Sequence, residues 1–468
     1  MTATPASTPP TPPTPELLYL LSGDEDDFQA ACADFLPADI AEALNELPLE
    51  AAARVVGALP FHRAVQVFDE PQLQRRGELV AQLDPARAIP LIEAMSSDQQ
   101  VELFRELDPD TRARLAHVLD APTRQQLELL MHYPPTSAGG LMTTEFLGVP
   151  SDWTVSQVQA YIREVGQAKE TVYAIYVLDP KHQRLLHVVS LRELMVADPG
   201  RRVLDVGEAH KLVTVRPYTD QEDVARLISK YNLLAIPVVD DSLRVLGIVT
   251  VDDIIDALTR ETTEDVQKLG GMEAIDEPYM QISFFSMVRK RAGWLCALFL
   301  GEMLTATAMG HFEHEISRAV VLALFIPLII SSGGNSGSQA TSLIIRALAL
   351  REVTLRDWWR VAMRELPAGL ALGSILGVIG LIRVLLWQHI GWYNYGEHYL
   401  LVAITVGTAL VGVVLFGSLC GSMLPFLLKR IGFDPASASA PFVATLVDVT
   451  GLVIYFTVAL VILQGTLL

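Results

Sequence analysis

Between residues 20 and 135 the apolar positions come in short amphipathic stretches. A Leu or Met, one or two turn residues and an amphipathic helix recur about every twelve residues, anchored at Leu47, Leu59, Leu83, Met95, Leu107 and Leu119. Segments such as LDPARAIPLIEAM and LDPDTRARLAHVL show the logic: Asp caps the helix and Pro pre-sets φ at its first turn. Fixed-period self-similarity predicts an all-α helical superhelix over 20–137. From 138 the pattern changes to strand-length apolar runs that repeat with a period near sixty. YAIYVLDPKHQRLLHVVSLRELM and LLAIPVVDDSLRVLGIVTVDDII each read helix, strand, Asp turn, strand, cap, helix, with Ser190 or Thr250 at the last helix start. Two α/β modules are therefore expected, at 138–200 and 201–260. Residues 261–290, from ETTEDVQKLG to VRKR, read as a connecting helix.

The remainder, 291–468, is long apolar runs. Five are long enough to cross about 30 Å of hydrocarbon, near 292–311, 318–345, 363–388, 399–428 and 440–463. Basic residues flank them unevenly. Arg289, Lys290 and Arg291 precede the first; Arg346, Arg351, Arg356, Arg360 and Arg364 separate the second from the third; Lys429 and Arg430 separate the fourth from the fifth. The alternate loops HFEHE and HIGWYNYGEHY carry no Lys or Arg. All three clusters share one side if the N-terminal part is cytosolic and the C-terminus lies outside.

Composition adds one contrast. The 468 residues are 51% hydrophobic, yet the formal net charge is −19, with a mean hydropathy of +0.34. The carboxylates concentrate before residue 290 and the apolar runs after it. Such acidity disfavours nucleic acid, whose phosphates need Lys and Arg, and favours cations. Cys32, Cys296 and Cys420 have no metal-ligand spacing. MTATPASTPPTPPTP is low-complexity and lacks a charged segment followed by an apolar core, so 1–19 is expected to be a disordered tail and not a signal peptide.

Several residues carry candidate chemistry. Asp448 lies inside the fifth run, where a carboxylate costs at least ~2.5 kcal/mol and marks a pore or a polar partner. Arg318 and Arg364 stand in the first turns of the second and third runs and Arg383 near the outer end of the third; no other Lys or Arg lies within the runs to pair with it. In IPLIISSGGNSGSQATSLIIRAL, Pro327, Gly333, Gly334 and Gly337 are expected to break the second span, with Asn335 and Gln339 lining a wet path. The competing reading is a seam of small residues where helices approach. Glu302, in the first run, faces either the cation path or a packing partner. Asp434 in FDPASASAP reads first as a cap. Asp253, Asp256, Glu261, Glu264 and Asp265 cluster with little basic compensation; oxygen-only ligands of this kind suit Mg²⁺ or Ca²⁺.

The two α/β modules resemble a tandem pair of CBS domains; the second, ending in GIVTVDD, places Thr250 and Asp253 at the ribose-contacting spacing of adenosine-binding modules. The full order of helical repeat, CBS pair, connecting helix and five spans is similar to the MgtE-type magnesium transporters. PLIISSGGNSGSQ and PFVATLVDVTGLVIYF carry that likeness most specifically. The resemblance implies a homodimer in a cell membrane with its pore between subunits, Mg²⁺ as both cargo and regulator, and hydrated Mg²⁺ held at Asp448. It also implies cytosolic Mg²⁺ sites at Asp98, Glu102, the backbone of Gly139, Asp220, Glu222, Asp253, Asp256, Glu261, Glu264 and Asp265, with Asp434 near the pore. Asn232 stands where an Asp is expected, which weakens a site shared with Asp220. Binding of ATP at the CBS pair is left open.

The expected mechanism is passive uptake of a hydrated ion. A double charge gains about 4.6 kcal/mol per 100 mV of negative-inside potential. At high Mg²⁺, bound ions hold the cytosolic parts together and shut the pore; at low Mg²⁺, repulsion loosens them. Three alternatives stand beside this reading: a transporter of Co²⁺, Mn²⁺ or Ca²⁺, an intramembrane enzyme, and a nucleotide-sensing regulator that conducts nothing. No His-Glu-x-x-His and no Ser/Lys pair occurs in the spans, which disfavours the enzyme.

Overall fold

The computed structural model describes residues 28–29, 32, 35–166, 169–207, 212–275, 279–280 and 282–467. The expected tail, 1–19, lies outside them. The chain divides into two compact units, Met1–Thr259 and Arg260–Leu468.

Among the described residues, the first unit begins with eight short helices: α1 (Pro37–Glu46), α2 (Leu49–Ala58), α3 (Phe61–Phe68), α4 (Arg76–Gln82), α5 (Pro85–Ala94), α6 (Ser97–Glu106), α7 (Pro109–Val118) and α8 (Ala121–Met131). The apolar anchors have one shared role. Leu47, Leu59, Leu83, Met95, Leu107 and Leu119 each close a helix in extended or near-extended backbone. All but Leu83 are fully buried. The following residues restart the chain: Asp84 accepts from Ala86 N, Asp108 from Asp110 N and Thr111 N, and Asp120 from Thr123 N. Helices pack on the second one after them, α1 on α3, α2 on α4, α3 on α5, α4 on α6 and α6 on α8. Arginines staple these turns. Arg63, Arg75 and Arg87 each donate to a carbonyl 28 residues earlier, on Phe35, Leu47 and Leu59. Arg105 donates to Tyr133 O, 28 residues later.

The short helix α9 (Ala138–Leu141) leads into the α/β part: β1 (Leu147–Pro150), α10 (Val155–Val165), β2 (Ala174–Leu178), β3 (Leu185–Ser190), α11 (Leu191–Val196), α12 (Gln221–Tyr231), β4 (Ala235–Val239) and β5 (Val245–Thr250). β1 pairs parallel with β2, and β2 antiparallel with β3. β4 and β5 form the antiparallel pair of the second module. Ser190 caps α11 in a reciprocal box with Glu193, as its position predicted. The superhelix core continues into the second module through Val224, Ile236, Val249 and Ile254, whereas the first module has its own core around Val149, Ile175 and Val189.

Residues 261–290 do not form one helix. Helix α13 (Val251–Leu269) starts directly after β5 and runs unbroken through residue 260. Gly271 then turns the chain at φ +76°. A new helix, α14 (Phe284–His311), begins behind a Ser283 cap and takes in VRKR.

After α14 come the short α15 (Glu313–Arg318) and α16 (Val320–Ala323), then α17 (Ile326–Ala349), α18 (Trp358–Ile390), α19 (Tyr399–Arg430) and α20 (Ala440–Leu463). Among the described residues, five segments are long and apolar enough to cross a membrane: Phe284–His311, Val320–Ala349, Leu355–Ile390, Tyr399–Arg430 and Ala440–Leu463. The glycine run does not break the second. α17 is one 24-residue helix with Pro327 in its first turn, where proline costs no hydrogen bond. A Cβ on Gly333 would stand 2.5 Å from Val413, and one on Gly337 2.7 Å from Val443. Gly417 and Gly421 of α19 face the carbonyls of Gly333 and Gly337 so closely that their own Cβ atoms would meet those oxygens at 2.3 and 2.1 Å. The seam of small residues is the correct reading for Gly333 and Gly337.

Candidate ion path and cytosolic acid sites

Asp448 stands in the middle of α20. Its carboxyl lies within hydrogen-bonding reach of Glu302 on α14. A Cβ on Gly334 would stand 4.0 Å from Asp448 Oδ1, so this glycine, unlike its neighbours, borders the carboxylate. Glu302 also opens onto an apolar groove of about 820 Å³ shared with Leu295, Phe299 and Thr445. Ser331, Asn335 and Gln339 recur at four-residue spacing and are exposed, making a polar stripe on α17. Asn335 Nδ2 donates to Ser331 Oγ at 3.5 Å. Three spans thus present polar groups at membrane depth, on α14, α17 and α20.

In the first unit, Asp98 sits in the first turn of α6. Gln99 donates to its Oδ2 at 2.9 Å, while Oδ1 is buried and has no partner among the described residues. Burial is the main cause that pushes the Asp98 pKa up, and Glu145 adds to it. Asp253 opens α13. Burial and then the charge of Asp98 push its pKa up to about 8, against a bond donated by the Thr250 hydroxyl. Three acids that the sequence did not single out join them. Glu170 is pushed up to about 7 by burial and by Asp98, Asp252 and Asp69. Asp69 reaches about 6, mainly by burial. Burial opposes the charge of Glu145, but bonds from Thr143 and Ser97 outweigh it and hold its pKa low; Ser97 Oγ donates at 2.7 Å. They escaped notice because residues 69, 98, 145, 170 and 253 meet only through the tertiary fold.

Other expected ligands take structural positions. Glu102 accepts from Arg76 Nη1 at 3.1 Å. That arginine is 1% exposed and also donates to Phe68 O at 2.9 Å and Glu70 O at 2.7 Å. Gly139 N donates to Pro217 O at 2.7 Å, and a Cβ there would meet the Tyr133 ring at 2.6 Å. Asp220 caps α12 and accepts from Glu222 N at 2.9 Å. Asn232 ends the same helix in left-handed conformation, φ 51°, a position that Asn tolerates. The helix therefore holds residues 220 and 232 roughly 18 Å apart, at 1.5 Å per residue. They cannot share a site inside one chain. Asp256 lies further along α13.

In the second unit, α13 meets the turn before α20. Lys268 Nζ donates to Asp434 Oδ2 at 2.6 Å and also pairs with Glu264. Glu264 in the acidic cluster thus has one basic partner, which it shares with Asp434. Burial, then the charges of Asp434 and Glu261, push the Asp265 pKa up to about 6. Asp434 also caps the turn Pro435–Ser437, accepting from Ala436 N at 2.8 Å. Among the described residues no three His, Cys, Asp or Glu side chains converge on one metal position.

Comparison with known proteins gives the lineage. The family model described as a divalent cation transporter matches residues 326–458, the MgtE intracellular N domain matches 36–136, and a CBS domain matches 205–260. The magnesium transporter MgtE of Thermus thermophilus is 44% identical over 342 residues, 73% of each chain. The magnesium transporter MgtE of Bacillus subtilis is 30% identical over 95% of each. A crystal structure of the cytosolic domain of the Mg²⁺ channel MgtE in complex with ATP is 38% identical, covering 51% of this chain and 96% of that one at a TM-score of 0.48. With helical N domain, CBS pair and five membrane-length helices in the family's order, the chain is a multi-pass membrane protein belonging to the MgtE family of divalent cation transporters.

Proposed function

We propose that this protein takes up hydrated Mg²⁺ down its electrochemical gradient, through a pore between two copies, and that cytosolic Mg²⁺ closes that pore. The observation that carries the reading is Asp448 on α20, bordered by Gly334 of α17 and Glu302 of α14. The exposed stripe of Ser331, Asn335 and Gln339 supports the homodimer, because such a face is costly against lipid and water-compatible against a second copy. Mg²⁺ sheds its waters reluctantly, so carboxylates and neutral oxygens that bond its hydration shell suit it better than a tight cage. The relatives named above are magnesium transporters. The basic clusters between spans support an N-terminal unit in the cytosol and a C-terminus outside the cell membrane.

Regulation rests on oxygen donors. Asp98, Gly139, Asp220, Glu222, Asp253 and Asp256 serve the first unit; Glu261, Glu264, Asp265 and Asp434 serve the second. The donor set fits a hard cation, and the buried, unpartnered Oδ1 of Asp98 is a ready ligand atom. A bound Mg²⁺ supplies charge that lets these carboxylates approach. Asn232 and Asp220 contribute only to a site completed by a second copy. At the CBS pair, Thr250 and Asp253 are the ribose contacts for ATP.

Flux into liposomes tests the proposal. Asp448→Ala, folded and dimeric by size-exclusion chromatography, is expected to abolish Mg²⁺ flux. Wild-type flux from that variant overturns the pore assignment. Co²⁺, Mn²⁺ and Ca²⁺ in the same assay separate a magnesium path from a broader divalent one.

A further inference from the structure

We propose that Lys268 is a tethered cation that latches α13 onto the Asp434 turn without metal, and that a divalent ion must displace its ammonium to reach Glu264 and Asp434. This rests on the gating read above for the same acids.

The geometry is that of an occupied cation position. Lys268 lies in the last turn of α13 and is 25% exposed. Its Nζ bonds Glu264 one turn earlier and Asp434 at 2.6 Å, 166 residues away in sequence. Burial works against its charge, yet the bonds to Asp434 and Glu264 outweigh this and hold its pKa above the ordinary lysine range. Asp265 lies within reach of the charges of all three groups. Two carboxylates share the one ammonium, which leaves the trio of Lys268, Glu264 and Asp434 one charge negative and able to attract a divalent ion.

The helix end carrying Lys268 is pinned. The next residue, Leu269, packs with Ile345, Ala436 and Ala438. Gln267 Oε1 accepts from Ile275 N at 2.5 Å. The ammonium offers three donors and one charge. A divalent ion takes six or more oxygens and carries two charges. Both cannot contact Asp434 Oδ2 and Glu264 together, since like charges at such distances repel strongly. The contact between α13 and the Asp434 turn is thus held by lysine when metal is scarce and by metal when it is abundant. Lysine holds it less tightly, which sets how far the pore opens at low Mg²⁺.

The experiment uses the full-length dimer in liposomes with Lys268→Met, Lys268→Gln and Lys268→Arg. In Mg²⁺-free internal buffer, both neutral variants are expected to conduct more than wild type, by up to about fivefold, the most that a partly exposed ion pair shifts an equilibrium. Mn²⁺ binding, followed by electron paramagnetic resonance, should strengthen by a similar factor, because the ligands no longer have to release an ammonium. Lys268→Arg should restore wild-type behaviour in both assays. The latch is overturned if the neutral variants match wild type in metal-free flux, if their Mn²⁺ binding is unchanged or weaker, or if arginine fails to restore either. Asp448→Ala in the same preparation tests the pore itself, so failure of the pore reading and failure of the latch are told apart.

Discussion

At the scale of single residues, burial and neighbouring charge make two acids of the first unit much weaker than ordinary carboxyls. Asp253 at about 8 and Glu170 at about 7 both titrate far above an ordinary carboxylate. A carboxyl with a raised folded-state pKa contributes stability that is full below its unfolded value and is lost as pH rises through the folded value. In chelator, raising pH from about 6 to about 9 should therefore loosen the contacts around α6 and α13, read as a fall in amide protection once the pH dependence of intrinsic exchange is divided out. Asp253→Asn should flatten that fall. Constant protection across the range would show that these acids are not coupled to the fold. The same scale shows where sequence reading stops. The family likeness points to Asp98 and the acidic cluster already to Asp253, but their neighbours Asp69, Glu145 and Glu170 carry no local signature. Glu102 was named as a ligand without Arg76, because a salt bridge across 26 residues leaves no trace in spacing.

At the scale of elements, caps and periods were legible and glycine was not. The twelve-residue anchors, the Asp caps and Ser190 all depend on residues within four positions, which is what sequence patterns encode. The α17 glycines were misread as a break because propensity is a weak prior that tertiary packing overrides. What Gly337 does is decided by Gly421, eighty-four residues later. This gives a contrast to measure. Gly421→Ala places a Cβ 2.1 Å from Gly337 O and should cost about 1–3 kcal/mol, seen as a lower melting temperature in detergent. Gly310→Ala meets nothing within 4 Å and should leave that temperature unchanged or slightly higher.

At the scale of the molecule, order of domains was legible because each class has its own period, and the five apolar runs fell where membrane-length helices stand. The connecting segment was harder. The sequence reads 201–260 as the second module and 261–290 as a separate connecting helix, whereas α13 is continuous from the β5 strand to Leu269 and carries acids on both sides of that boundary. Neutralising it should alter regulation and spare permeation. Asp253→Asn, Asp256→Asn and Glu261→Gln together remove ion bridges and also repulsion. Asp253, with its pKa near 8, carries little charge at neutral pH when no ion is bound, so its removal relieves little repulsion, whereas one bridging ion contacts several oxygens. The triple variant should therefore keep conducting at internal Mg²⁺ that shuts the wild type, with the same ion preference. Unaltered inhibition in liposome flux would return these acids to a solvated face.

The arginine staples of the superhelix have a consequence for how such a domain tolerates change. Arg63, Arg75 and Arg87 are spaced by twelve, and so are the carbonyls of Phe35, Leu47 and Leu59 that receive them. The winding therefore behaves like a screw thread with a fixed pitch. Excising residues 61–72 as a block would bring Arg75 opposite Phe35 and Arg87 opposite Leu47, and the thread would re-engage. A cut of any length that is not a multiple of twelve would cross the thread, setting every later arginine against the wrong carbonyl. Length in this domain is quantised, and its evolution is expected to proceed by gain and loss of whole turns.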